Sequence, residues 1–138
     1  MIRLDGYNVW LSYEVPGTPD AEDYAALLNA VAGLDLSEDQ LMEVGQQSRN
    51  LEKAFNTLHT EMARKDDLPP RRYMEEPTKS GPYKGSLCEP DKWNKMLDDF
   101  YEVQGWDKAT GLQTRKTLES LDMHDVAEML SRAGKLIE

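Results

Sequence analysis

Residues 37–64 read SEDQLMEVGQQSRNLEKAFNTLHTEMAR, and this stretch decides the fold. Ser37 and Gln40 stand three apart, a capping box in which each side chain satisfies an orphan amide of the other. Leu41, Val44, Leu51, Phe55, Leu58 and Met62 follow at spacings built from threes and fours, with Ser48 in the one polar slot. Such a row reads as a long core helix or as a short coiled-coil seam. Gly45 and Ser48 break the seam, so the core helix is the expectation, ending near Arg64 or Lys65. A helix of this length without competing strands makes the class all-α, an irregular domain of four to five helices.

Working outward, a first helix is expected from about Pro19 to Ala32. Thr18 would cap it, Asp20, Glu22 and Asp23 suit its positive end, and Gly33 stops it. Its apolar positions are Tyr24, Leu27, Leu28 and Val31. Residues 65–90 hold five prolines and two glycines, which forbid a long helix or a central strand and predict one long loop. A third helix runs from Pro90 or Asp91 to Gly105, with Trp93, Met96, Leu97, Phe100 and Val103 inward and Asp98, Asp99 and Glu102 on an acidic outer face. A turn at Thr110-Gly111 precedes a short helix over 114–121 and a last one over 124–133. Residues 1–17 read as an extended N-terminal segment, and 1–138 as a single domain.

Composition excludes several kinds of function. The 138 residues carry 16 basic and 26 acidic side chains, a net charge of −10 that repels phosphate backbones and argues against nucleic acid. No apolar run approaches the ~20 residues of a membrane span, and residues 1–7 lack the apolar stretch of a secretory signal. Cys88 is the one cysteine and forms no internal disulfide, which points to a reducing cytoplasm.

Candidates for chemistry are few. Cys88 lies beside Glu89, and a neighbouring carboxylate raises a thiol pKa, so an inert thiol is expected. His59 sits where a long helix ends and suits the negative end of its dipole, a structural role as open to it as catalysis. His124 reads as a surface residue. Arg64, Lys65, Asp66, Asp67, Arg71 and Arg72 form the most unusual charge cluster. It closes the loop as an ion-pair network or faces an anionic partner, and spacing alone leaves both open. Adjacent acids elsewhere read as a solvated face. No residue is identified as catalytic or as a metal ligand.

Several motifs then occur in a telling order: residues 50–56, NLEKAFN; residues 64–71, RKDDLPPR; residues 81–85, GPYKG; residues 96–101, MLDDFY; and Gly105-Trp106-Asp107 before Thr110-Gly111. The series resembles the C-terminal region of the tungsten-dependent aldehyde ferredoxin oxidoreductases, from about Tyr24 to Leu130. The resemblance implies a redox enzyme several times longer, whose N-terminal domain cradles a tungsten or molybdenum bis-pterin cofactor beside a four-iron cluster. Its C-terminal helical domains cover that cofactor and line the substrate channel, which makes His59, Arg64, Lys65, Asp66, Asp67, Arg71 and Arg72 channel-lining or partner-facing candidates. The family's last cluster cysteine belongs to an Asp-x-x-Gly-x-Cys segment. Placing Asp5 on its aspartate, as a cofactor-side candidate, puts Asn8 at the glycine and Trp10 at the cysteine. An indole offers no iron ligand. Glu61 stands where the family commonly has glycine, and glutamate favours a continuous helix there.

The resemblance therefore implies a stand-alone or excised C-terminal domain that binds no cofactor alone, is silent alone, and packs on a protein partner or on the missing N-terminal cofactor domain. The alternative is a repurposed acidic helical interaction module without redox role. A self-sufficient enzyme built on His59 finds no support, since no base is paired with a nucleophile.

Overall fold

The computed structural model describes residues 20–138. Six α-helices occur among them: α1 (Ala21–Ala32), α2 (Glu38–His59), α3 (Arg71–Glu75), α4 (Pro90–Gln104), α5 (Arg115–Ser120) and α6 (His124–Arg132). A 3-10 turn (Arg64–Asp67) lies between α2 and α3. Among the described residues there is no strand, and two isolated bridges pair Trp106 with Gln113 and Thr114 with Ile137. The class is all-α. The five helices expected from periodicity are all present, and α3 is an addition inside the proline-rich stretch. The chain divides into two compact units, Met1–Lys53 and Ala54–Glu138.

In the first unit, α1 begins later than the sequence suggests. Asp20 is its N-cap and shares a capping box with Asp23, while Thr18 and Pro19 lie outside the described residues. Asp20 serves because a carboxylate one position before Ala21 reaches the free amides directly. Gly33 ends the helix at φ 66°, a left-handed conformation that glycine adopts without a Cβ clash. The Asn29 side chain donates to Leu36 O and accepts from Leu36 N, both at 2.9 Å, fixing the short connection to α2. The Ser37–Gln40 capping box forms as read, with bonds of 2.8 and 3.2 Å.

The second unit is built on the end of α2. Ala54, Leu118, Val126, Ala127 and Leu130 form one buried cluster, with Leu58, Met123 and Leu136 against it. Ala54 from the end of α2 and Ala127 from α6 both belong to this cluster. The inward positions of α2 thus differ from the apolar row expected. Leu41, Gly45, Asn50, Ala54 and Thr57 are buried, whereas Val44, Leu51, Phe55 and Met62 are exposed. Small and polar residues occupy the packed positions, and a hydrophobicity ranking passes over them.

The long helix stops at His59, five residues before the expected end, and Glu61 does not prolong it. Two local contacts divert the chain: Thr60 Oγ1 donates to Asn56 O at 2.6 Å and accepts from Met62 N. The last carbonyls are capped from far along the chain. Lys135 Nζ donates to Thr57 O and Thr60 O, both at 2.9 Å, and pairs with Glu61 at 3.2 Å. Glu61 thus has an ion-pair partner in Lys135.

A second cluster joins Leu97, Tyr101 and Trp106, with Trp93 against it. On α4 the buried positions are therefore 97 and 101, one helical turn apart. Met96, Phe100 and Val103, expected inward, are exposed. Within 65–90 the chain folds on itself, through Cys88 N to Tyr73 O (2.9 Å) and Gly85 N to Thr78 O (2.8 Å).

Leu118 is fully buried at the centre of the larger cluster. Leu118→Ala is expected to cost about 2–5 kcal/mol through the lost contacts and the cavity left, read as a lower urea midpoint at unchanged slope.

Candidate functional site

The 3-10 turn brings part of the sequence's charge cluster together. Asp66 Oδ2 accepts from Ala63 N at 2.9 Å and so closes the turn on itself. The turn is held against α4 and the 107–111 loop by Arg64. Its Nη1 donates to Asp98 Oδ1 and to Lys108 O, each at 2.6 Å. Its Nη2 donates to Asn94 O at 3.1 Å and Asn94 Oδ1 at 3.3 Å. The same guanidinium lies 5.4 Å from the Tyr101 ring centroid, within range of a cation–π contact. The Arg64 backbone adds N–H to Thr110 O at 2.8 Å. A planar fork with several donors suits this convergence of carboxylate and carbonyls, and an ammonium would not match it.

Asp67 completes the junction from the other end of the turn. Tyr101 Oη donates to Asp67 Oδ2, and Trp93 Nε1 donates to Asp67 O at 3.0 Å. Burial, then the Asp67 hydrogen bond, pushes the Tyr101 phenol well above the ordinary tyrosine range. A phenol shifted that way keeps its proton at neutral pH, so Tyr101 acts here as a fixed donor. The loop opposite is tight: Asp107 Oδ2 accepts from Thr110 N at 2.7 Å and Thr110 Oγ1 at 2.6 Å. Gly111 follows at φ +72°, and a Cβ there would fall 2.9 Å from Tyr101 Oη. Glycine is needed at that position on both counts.

The other candidates lie elsewhere. Lys65 is exposed and its side chain makes no bond among the described residues. Arg71 pairs with Glu75 (2.9 Å) and Arg72 with Glu76 (3.5 Å) along exposed α3. The His59 ring packs on Phe55 with centroids 4.5 Å apart, and Lys135, not His59, meets the last carbonyls of α2. Asp5, with Asn8 and Trp10, lies outside the described residues. Asp98, placed on the outer acidic face by the helical reading, instead turns to Arg64. Trp93, Tyr101 and Asp98 share the face of α4 that meets the turn, at spacings of eight and five from Trp93. That spacing is readable in the sequence, but the 34 positions between Arg64 and Asp98 hide the pair.

The donors present do not fit the family's metal groups. Among the described residues no three His, Cys, Asp or Glu side chains are grouped to hold a metal. The whole chain offers one thiol, Cys88, where a four-iron cluster takes four cysteines. Among the described residues no helix is long and apolar enough to cross a membrane.

Comparison with known proteins identifies the motif set. The family model for aldehyde ferredoxin oxidoreductase, domains 2 and 3, matches residues 8–123. The chain belongs to this family. The tungsten-containing aldehyde ferredoxin oxidoreductase of Pyrococcus horikoshii is 36% identical over 86 residues, 62% of this chain and 14% of that protein. The same-named protein of Pyrococcus furiosus is 34% identical over 101 residues, 73% of this chain and 16% of that protein. The chain thus corresponds to a small part of these relatives' length. A solved structure, the active site complex BamBC of benzoyl coenzyme A reductase with 1,5-dienoyl-CoA, shares the fold. It covers 85% of this chain and 16% of its own at a TM-score of 0.67 and 24% identity.

Two variants test the junction. Arg64→Ala, which strands Asp98 and three acceptors, is expected to cost about 2–4 kcal/mol, with Arg64→Lys recovering less than half, by urea unfolding. Because folded Tyr101 holds its proton above the free value of ~10, its contribution is complete below that pH and is lost as pH rises beyond it. Tyr101→Phe is expected to flatten that alkaline loss relative to wild type, read as unfolding free energy between neutral pH and the alkaline limb.

Proposed function

We propose that this chain is a stand-alone or excised C-terminal domain of an aldehyde ferredoxin oxidoreductase-like protein, working in a reducing cytoplasm. It packs on a domain or partner chain that carries a tungsten or molybdenum bis-pterin cofactor and a four-iron cluster, covers that cofactor, and helps shape the channel to it. The observation that carries this reading is the family match over residues 8–123 combined with a span of only 14–16% of the relatives. The oxidation of an aldehyde to a carboxylic acid is chemistry that the cofactor supplies when bound. This chain contributes shape and exclusion of water.

Division of labour among the sequence's candidates follows from their geometry. Arg64 and Asp67 are committed inward and position the turn. His59, Lys65, Arg71 and Arg72 remain exposed and are the groups able to meet a partner or a channel. The second reading, an acidic interaction module without redox role, differs in a measurable way.

Elemental analysis and visible absorption of the purified chain are expected to show no stoichiometric tungsten, molybdenum or iron–sulfur centre, with aldehyde oxidation at background. A stoichiometric centre in the isolated chain sinks the proposal. A stable homodimer by light scattering, with no affinity for a cofactor domain, favours the module.

A further inference from the structure

Residues 135–138 lie beyond the stretch 8–123 matched by the family model, and each of them is engaged within the second unit. Gly134, at φ 66°, reverses the chain after α6, with Gly134 N–H on Ser131 O and Lys135 N–H on Leu130 O, both at 2.9 Å. Lys135 Nζ then reaches the Thr57 and Thr60 carbonyls at the end of α2, and the Glu61 carboxylate. Leu136 packs against the larger buried cluster. Ile137 pairs through its backbone, donating to Gln113 O at 3.0 Å and accepting from Arg115 N at 2.8 Å. Glu138 takes a fork from Arg115, Nε to Oε2 and Nη2 to Oε1 (3.0 Å), and a bond from Ser131 Oγ at 3.1 Å.

The two charged ends of this stretch differ. Arg115 also donates Nη1 to Glu128 at 2.9 Å and lies 3.6 Å from Glu119. Its guanidinium, and after it the Ser131 hydroxyl, hold the Glu138 carboxyl below the usual carboxylate range, so that Glu138 is charged at neutral pH. The Glu138 side chain is nevertheless 65% exposed, and this end stands open to water. The Lys135 side chain is 23% exposed, and its three N–H donors are all taken. A helix end leaves carbonyls without partners, and the only basic side chain in the last turn of α2 is His59, which packs on Phe55 instead. Lys135 supplies what the helix lacks, four residues before Arg64 begins the turn that meets α4.

We propose that residues 135–138 act as one latch, in which the clasp of Glu138 on Arg115 keeps Lys135 seated on the end of α2 and so sets the direction in which the chain leaves that helix toward the Arg64 turn. Leu136 and Ile137 are the link, fixed by the core on one side and by the 113–115 backbone on the other. Opening begins at the exposed clasp and withdraws Lys135. The segment 60–66 then loosens while the core around Leu118 stays closed, a local opening below the cost of unfolding the unit.

Amide hydrogen exchange on the full chain at neutral pH tests the latch. The reporters are the Thr60, Arg64 and Asp66 amides, which donate to Asn56 O, Thr110 O and Ala63 O, and the control is the Ala127 amide inside α6. Lys135→Met removes the ammonium and keeps an apolar stem, and Glu138→Gln removes the clasp's charge and keeps its shape. Each is expected to speed the three reporters by about tenfold with Ala127 unchanged. The double variant is expected to be no faster than Lys135→Met, because both changes release the same device. Reporters that stay at the wild-type rate in Glu138→Gln overturn the proposal, since Lys135 is then seated without the clasp. Effects that multiply in the double variant overturn it too, as two independent contacts. Acceleration shared equally by Ala127 shows a loss of stability across the unit, and that outcome also overturns the latch.

Discussion

The guanidinium of Arg64 is the point at which three separate stretches of chain are tied together. It draws on Asp98 and Asn94 from α4 and on the Lys108 carbonyl from the following loop, while its own backbone holds Thr110. It anchors to α4 a stretch whose prolines supply few amides for regular pairing. Asp67 repeats the logic three residues along, receiving the Tyr101 hydroxyl and the Trp93 indole. A short turn with an arginine at one end and an aspartate at the other thereby clamps one face of a helix.

What could be read from the sequence depended on how local the cause was. Capping at Ser37–Gln40, the stops at Gly33 and Gly105, and the turn at Thr110-Gly111 are settled by residues within four positions of each other, and they formed as read. The end of α2 was misplaced because its cap, Lys135, is 78 positions from Thr57 and no local pattern announces it. The start of α1 shifted by two residues because two acceptable caps, Thr18 and Asp20, compete at almost the same place. Facing was harder than existence. Periodicity finds a helix with two apolar rows, as in α4, but does not say which row packs within the unit. That choice falls to Arg64 and Asp67, which reach α4 from over thirty residues earlier.

The candidate site was legible as a cluster and not as roles. Charges at 64–72 stood out, yet the same run contains residues turned inward, residues paired along α3, and the exposed Lys65. A run of like and unlike charges has no directional information until the turn is built, since a 3-10 turn sends neighbours to different sides. Asp98 shows the converse error. Its acidic neighbours made it look solvated, and only the arrival of a guanidinium gives it a partner.

These placements change what the family motifs mean. Arg64, Asp67, Tyr101, Asp107 and Gly111 carry the resemblance, and every one of them is engaged inside the fold. Gly111 is a clear case, because a side chain there would strike the Tyr101 hydroxyl that Asp67 is holding. The fold uses such residues whether or not a cofactor is near, so their presence reports a shape. Function must then be sought among residues that the architecture does not need. In this chain the groups left exposed lie on α3, at the end of α2 and along one side of α4.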